Sequence, residues 1–284
     1  PMGKASCMQN KTPSRSQIFS KQSCQLSDQD VLGLIGRKQE EVDLELLNKY
    51  YKGKTILING GAGSIGSEAV RTLLDLEVEK VVVLDWWENG MFYLEQEIKD
   101  KRLVCRIGDV KTKRLQQVIK EQKPQIVIHA SAYKHLPLMQ VNAMEAFNNN
   151  VYGTYNAIQA CQGMEKFIMI YTDKAVNTTK AMGGTNRICE ILIENQKGIY
   201  CAVRFGNVIQ SNGSVIPTWL KQIERGEDVT VTHQKITRYF MTKREAVELV
   251  LLAGIYSRGQ EIFLLDMGKP VRIYDLAQKL IYHF

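Results

Sequence analysis

The chain has 284 residues, of which 44% are apolar, 24% charged and 8% aromatic. That is ordinary globular composition, and it excludes a mostly disordered chain, a collagen-like chain and a small disulfide scaffold. The 37 basic and 30 acidic residues sum to +7. A basic chain suits nucleic acid, anionic lipid or phosphorylated small molecules, but Lys and Arg spread singly along it argue against nucleic acid.

The length suggests roughly two domains, or one large α/β domain with an appended lobe. No run reaches the roughly 18 uncharged apolar residues of a membrane span. The N-terminus has no apolar core of a secretory signal. The six cysteines include no C-x-x-C pair and no Cys/His cluster with zinc spacing. Cys105, Cys161, Cys189 and Cys201 sit in apolar or helical patterns and read as small core residues of a reduced, cytoplasmic protein without a metal.

Residues 1–28 are polar and aperiodic and read as a flexible tail, in which Pro1 before Met2 reads as a remnant of cloning. Residues 29–52 form a helical segment, with a helix expected from Asp30 to Tyr51 and a capping box of Ser27 and Asp30. The body then alternates apolar, β-branched runs with amphipathic stretches. Strands are expected at Thr55–Asn59, Lys80–Leu84, Leu103–Ile107, Ile126–His129, Lys166–Tyr171 and Tyr200–Phe205. Helices are expected at Ser67–Asp75, Met91–Lys101, Lys111–Glu121, Met144–Cys161 and Met182–Lys197. Continuous apolar strands separated by helices predict a doubly wound parallel sheet of Rossmann type across residues 53–205. Beyond Phe205 the pattern loosens into helices at Trp219–Arg225, Lys243–Ser257 and Tyr274–Tyr282. Residues 206–284 therefore read as mainly a smaller substrate lobe, and a last apolar helix stopping at Phe284 reads as a domain cut short.

The sharpest local signal follows the first strand, where glycines stand at 60, 63 and 66 before a helix. The first permits a tight turn, the second lets a pyrophosphate approach the backbone, and the third lets helix and strand pack closely. The start of the helix that follows offers unpaired amides to the anion, with Ser64 and Ile65 beside it on the cofactor. Asp85 ends the next strand, 19 residues after Gly66, where a carboxylate accepts the adenosine ribose hydroxyls. It repels a 2′-phosphate, and no Arg or Lys follows immediately, which favours NAD over NADP. Trp86 and Trp87 either flank the adenine or pack at a strand end. Asp109 and Val110, after Gly108, either lie beside the adenine or, for Asp109, simply cap a helix from Lys111.

Later stretches carry a resemblance. His129-Ala130-Ser131-Ala132-Tyr133-Lys134-His135, Asn150-Val151-Tyr152-Gly153-Thr154 and Tyr171-Thr172-Asp173-Lys174 are three of them. Arg204-Phe205-Gly206-Asn207, Gly213-Ser214-Val215-Ile216-Pro217 and Thr237-Arg238-Tyr239-Phe240 are three more. With the G-x-x-G-x-x-G loop, they resemble extended short-chain dehydrogenase/reductases of the polysaccharide-biosynthesis (CapD-like) branch, the UDP-N-acetylglucosamine 4,6-dehydratases. The likeness runs from about Val31 to the C-terminus. Many relatives carry an N-terminal membrane region, so this chain resembles a soluble short form.

The resemblance implies an NAD-dependent lyase that oxidises sugar C4, eliminates water across C5–C6 and returns the hydride to C6. By that resemblance Asp173 protonates the leaving hydroxyl, Lys174 removes the C5 proton and Thr172 hydrogen-bonds the sugar near O4. Ala130, Ala132, Tyr133 and Asn150 are implied on the cofactor. Lys134 and His135 are implied near substrate, with a solvated loop as their plain alternative. The triplet at 172–174 taken alone reads equally as a helix cap after a strand. Asn207, Ser214, Val215, Pro217 and Arg238 are implied on the UDP-sugar, the guanidinium suiting its diphosphate.

One departure stands out. Standard short-chain enzymes place Tyr and Lys four apart, and here Met182 and Asn186 occupy those places. A Met is known in this branch. Asn186 departs from the usual Lys, and it reads either as a working variant that hydrogen-bonds a ribose hydroxyl or as an impairment. Which group deprotonates the C4 hydroxyl is left open. The rival readings are a nucleotide-sugar epimerase or reductase, against which the triplet argues, and a nucleotide-binding homologue without turnover. Self-association into a homo-oligomer is implied by the family.

Overall fold

Short runs of aliphatic and β-branched residues build one parallel sheet. Its strands are β1 (Thr55–Asn59), β2 (Lys80–Asp85), β3 (Leu103–Ile107), β4 (Ile126–His129), β5 (Lys166–Thr172), β6 (Tyr200–Phe205) and β7 (Ile262–Leu264). The computed structural model describes residues 3–4, 26–172 and 180–284. The spatial order is β7-β6-β5-β4-β1-β2-β3, with every neighbouring pair parallel. Strand order reverses between β1 and β4, which is where a doubly wound sheet opens a ligand crevice at its C-terminal edge. β1 and β4 are buried along their whole length, as strands covered by helices on both faces must be.

The helices are α1 (Asp28–Ile35), α2 (Leu44–Tyr51), α3 (Ser64–Leu74), α4 (Glu88–Glu97), α5 (Arg114–Gln122), α6 (Leu136–Val141), α7 (Ala143–Ala146), α8 (Gly153–Ala160), α9 (Ala181–Glu194), α10 (Val215–Glu224), α11 (Lys243–Tyr256) and α12 (Ile273–His283). The six sheet strands expected from the sequence are present, and β7 joins them at the edge beside β6. β7 has three residues, none of them buried, so it lacks the apolar run that marks the others.

The chain divides into two compact units. The larger holds Glu41–Gly206 and Lys243–Asp266, and the smaller holds the described parts of Pro1–Glu40 with Asn207–Thr242 and Met267–Phe284. This differs from a lobe continuous over 206–284. α11 returns to the larger unit because its apolar face has a surface to cover there. Gly254 approaches so closely that a Cβ would lie 2.5 Å from Ile168, and the Tyr51 hydroxyl donates to the Leu251 carbonyl at 2.9 Å. β7 then pairs with β6, Phe263 opposite Val203.

The expected helix from Asp30 to Tyr51 is two helices, one in each unit. The Ser27–Asp30 capping box is present at the start of α1. Gly36 ends α1 in the left-handed region (φ 68°), a conformation glycine adopts without a Cβ penalty, and Asp43 caps a fresh start at α2. The helix expected at Met144–Cys161 runs as α7, a π-helical turn over Phe147–Tyr152, and α8. Asp109 does not cap a helix from Lys111. Its carboxylate accepts from the Lys111 amide at 2.8 Å in a local turn, and α5 begins later, at Arg114.

The smaller unit has its own core, in which Leu32, Ile209, Trp219, Phe240 and Leu276 pack together. The Trp219 indole donates to the Thr230 carbonyl at 2.8 Å, which satisfies its only polar atom. Among the described residues, no helix is long and apolar enough to cross a membrane.

Candidate functional site

The turn after β1 is shaped by what its glycines leave out. Gly60 has φ +78°, and a Cβ there would stand 2.8 Å from the Ala130 carbonyl and the Ser131 amide. A Cβ on Gly66 would stand 2.2 Å from the Gly60 carbonyl oxygen. Internal packing therefore demands both glycines. Gly63 is different, because its one neighbour within 4 Å is the Gly60 oxygen at 3.3 Å. Gly63 lines an open cleft, so the volume a side chain would fill faces the cleft rather than the fold. It also caps α3 without a side-chain hydrogen bond, leaving the amides of Ile65 and Gly66 in a first turn that attracts anions.

Asp85 lies beside this turn, 8% exposed. Its Oδ2 accepts from the Ala62 amide and its Oδ1 from the Trp87 amide, each at 3.0 Å. Two backbone donors hold the carboxylate in place, and its remaining lone pairs are those a vicinal diol would use. Trp86 is 60% exposed, so it is not strand-end packing. Trp87 rests its ring over Gly90, where a Cβ would meet it at 2.2 Å. Both tryptophans line the cleft.

The cleft measures about 380 Å3, large enough for part of a dinucleotide. Of the residues predicted to bind cofactor, Gly60, Gly63, Asp85, Trp86, Val110, Ala130, Ala132 and Tyr133 line it. Ser64, Ile65, Gly66, Asp109 and Asn150 are not in its wall. Leu84, Ser131 and Asn149 are in the wall and were not singled out from the sequence. Ser131 lies between two predicted residues and could have been included with them. Asn149 carries no such signal, because it stands in a run of three asparagines on the π-helical turn.

Asn150 braces the neighbouring loop. Its Oδ1 accepts from the Tyr133 amide at 2.8 Å and its Nδ2 donates to the Tyr133 carbonyl at 3.1 Å. The side chain thus holds the backbone of a loop that forms the cleft wall. Beneath, His129 is buried with Nε2 3.1 Å from the Thr154 hydroxyl and its ring stacked on Phe167. Burial pushes the imidazole down to about 4, so it is neutral near pH 7. Lys134 and His135 are exposed in the loop before α6, outside the cleft wall.

Thr172 ends β5 half-buried. Asp173 and Lys174 lie outside the described residues. Met182, on α9, is buried against Met139 and Ala146 with Tyr133 beside them. It thus backs the cleft wall with an apolar thioether and has no proton to exchange. Asn186, one turn on, is buried at 4% exposed.

In the smaller unit, Asn207 and Arg238 come close together. Asn207 begins a short parallel pairing with Phe240–Met241, its amide donating to the Tyr239 carbonyl at 3.1 Å. Arg238 is exposed and donates to the Thr237 carbonyl at 2.7 Å. Ser214 stands at the N-cap position of α10 without a side-chain cap bond, with Val215 and Pro217 in the first turn, and its hydroxyl oxygen is buried without a partner among the described residues. Among the described residues, no group of three His, Cys, Asp or Glu side chains could hold a metal ion.

Comparison with known proteins agrees with this geometry. A family model described as "Polysaccharide biosynthesis protein" matches residues 56–284. The chain is 46% identical over 265 residues to the capsular polysaccharide biosynthesis protein CapD of Staphylococcus aureus, covering 89% of this chain and 44% of that protein. It is 32% identical over 242 residues to a UDP-N-acetylglucosamine 4,6-dehydratase (inverting) of Campylobacter jejuni, covering 81% of this chain and 72% of the other. The solved structure of Pen from Bacillus thuringiensis superimposes with a TM-score of 0.78 at 30% identity, covering 82% of this chain and 74% of that one. The chain spans about half the length of CapD and of other curated relatives it matches. A glycine turn joined to a buried acid on a seven-stranded parallel sheet, and a family match over most of the length, place this chain in the polysaccharide-biosynthesis family of extended short-chain dehydrogenase/reductases.

Proposed function

We propose that the chain is the catalytic part of an NAD-dependent 4,6-dehydratase acting on UDP-N-acetylglucosamine, producing a UDP-4-keto-6-deoxy-N-acetylhexosamine. The observation that carries the reading is Asp85. Its carboxylate is fixed by the Ala62 and Trp87 amides beside a glycine turn whose Gly63 leaves ligand space. That arrangement fits the adenosine ribose and pyrophosphate of NAD, and a fixed carboxylate repels the extra phosphate of NADP. The dehydratase chemistry rests on the Thr172-Asp173-Lys174 triplet and on the 32% identical relative.

A nicotinamide held there would supply the acceptor for the hydride leaving sugar C4 and the donor for its return at C6. The chain's own groups do the rest. Thr172 hydrogen-bonds the C4 oxygen. Lys174 takes the proton that the C4 ketone acidifies at C5, and Asp173 delivers a proton to the departing C6 hydroxyl; the proton released from the C4 hydroxyl passes through Thr172 and a water relay to restore Asp173, and C5 regains a proton as the hydride reaches C6, so one water leaves and no net oxidation remains. Asn186 replaces the usual ammonium with a neutral amide that hydrogen-bonds a ribose hydroxyl. Met182 walls the site. By the family resemblance, Asn207, Ser214, Val215, Pro217 and Arg238 of the smaller unit are the residues assigned to the UDP-sugar. The exposed apolar side chains of Leu138, Val141, Met144, Tyr155, Ile188 and Ile191 on α6 to α9 support packing against a second copy of the chain.

Incubation with UDP-N-acetylglucosamine and mass spectrometry tests the reading. The expected product has lost one water. An isomer of unchanged mass points to an epimerase instead, and unchanged substrate removes the catalytic reading.

A further inference from the structure

The catalytic scheme above does not use Glu190. Its side chain is fully buried on α9, where a carboxylate is costly unless its lone pairs are filled. Three donors fill them. The Tyr171 hydroxyl and the Arg204 guanidinium, its Nε at 2.6 Å, both meet Oε1. Arg187 Nη1 meets Oε2 at 2.7 Å. Arg204 Nε also donates to the Tyr171 hydroxyl oxygen at 3.1 Å, and Arg187 reaches Glu194 at 3.2 Å. Burial raises the Glu190 carboxyl, but the hydrogen bonds from Tyr171, Arg187 and Arg204 outweigh it and leave it below its ordinary value. The group is a held anion.

The elements it joins matter more than its stability. Tyr171 immediately precedes Thr172 on β5, and Arg204 lies near the end of β6. On α9, Met182, Asn186 and Glu190 follow at intervals of four, so they share one helical face. All three elements lie on the β5–β6 side of the point where strand order reverses. The cleft with Gly63, Asp85 and Trp86 draws on β1, β2 and β4 and on the residues after β3. A doubly wound sheet binds the two halves of a dinucleotide on opposite sides of that point.

We infer that Glu190 is a positioning residue for the nicotinamide half of the cofactor: with Tyr171 and Arg204 it sets the α9 face bearing Asn186 against the end of β5. This rests on the dinucleotide reading above. The adenosine half is held by other strands, so the two halves respond differently when the network is cut.

The test titrates NADH and ADP separately into wild type, Glu190→Gln and Tyr171→Phe, following binding by calorimetry. Glu190→Gln removes the charge but keeps an acceptor, and Tyr171→Phe keeps the carboxylate–guanidinium pairing, so it remains informative if the first variant folds poorly. The expected result is NADH binding weakened about tenfold in Glu190→Gln and by less in Tyr171→Phe, with ADP binding within about twofold of wild type in both. Equal weakening of both ligands, or no change in either, overturns the inference and leaves the dinucleotide reading standing. Wild type that binds ADP but not NADH, or neither, removes the dinucleotide reading and this inference with it.

Discussion

The Ala62 amide donates to Oδ2 of Asp85 at 3.0 Å, joining the glycine turn after β1 to the acid that ends β2. The bond makes the glycine turn and Asp85 one rigid piece, and the Trp87 amide completes it from the other side at 3.0 Å. Asp85→Asn removes the charge at nearly constant volume and keeps one of the two acceptors that the Ala62 and Trp87 amides use. NAD binding is expected to weaken about tenfold or more, the scale of a charge-assisted hydrogen bond, while NADP loses less because the repulsion has gone. Calorimetric titration of both cofactors checks this; an unchanged NAD:NADP ratio refutes the role given to Asp85.

Gly63 and Gly66 separate ligand space from packing space. Gly66→Ala drives a methyl to 2.2 Å from the Gly60 oxygen, and overpacking against backbone costs about 1–3 kcal/mol. Gly63→Ala meets one atom at 3.3 Å, so its melting temperature stays near wild type while dinucleotide affinity falls. Thermal melts paired with NAD titrations of the two variants read the contrast directly.

Asn150 acts through the Tyr133 backbone. Asn150→Ala strands a part-buried amide and carbonyl of Tyr133, a loss of about 1 kcal/mol because water reaches the cleft wall. Asn150→Asp keeps the acceptor at Oδ1 but loses the donor, and an intermediate loss is expected. Denaturant unfolding of the three proteins gives the order; equal stability of Asn150→Ala and wild type would sink the assignment.

His129 makes stability depend on pH. Burial depresses the folded imidazole to about 4 from its ordinary 6.5, so between those values the unfolded chain binds the extra proton. Stability is then full above pH 6.5, falls as pH drops towards 4 and is level below, a total on the order of 3 kcal/mol. By pH 5 about 2 kcal/mol of it is gone. His129→Gln cannot take up that proton, so the wild-type and variant unfolding free energies measured from pH 7 to 5 should converge or cross rather than run parallel.

Much of the larger unit was legible in the residue order. Val81-Val82-Val83-Leu84 and Ile56-Leu57-Ile58 are continuous apolar runs because helices cover both faces of the sheet, and such a run states its own burial. The glycine spacing and Asp85 were legible for a similar reason, since backbone geometry dictates residue type there. Asn150 was legible as a residue of the site but not as the clamp on Tyr133, since hydrogen-bond partners 17 residues apart leave no periodic trace. Met182 read as part of the chemistry, and its packing against Met139 and Ala146 shows it as a wall.

By itself the sequence determined the strand and helix alternation, the order of glycine turn, Asp85 and the Thr172-Asp173-Lys174 triplet, and the family, because each is written in short-range spacing and side-chain type. Tertiary structure alone decided that α11 and β7 return to the larger sheet and that α1 and α2 part company at Gly36. It alone decided that Glu190 gathers Tyr171, Arg187 and Arg204 around one buried charge. Those outcomes follow from burial and pairing between distant segments. An apolar helix shows that it needs a partner, but only the folded chain shows which surface it covers.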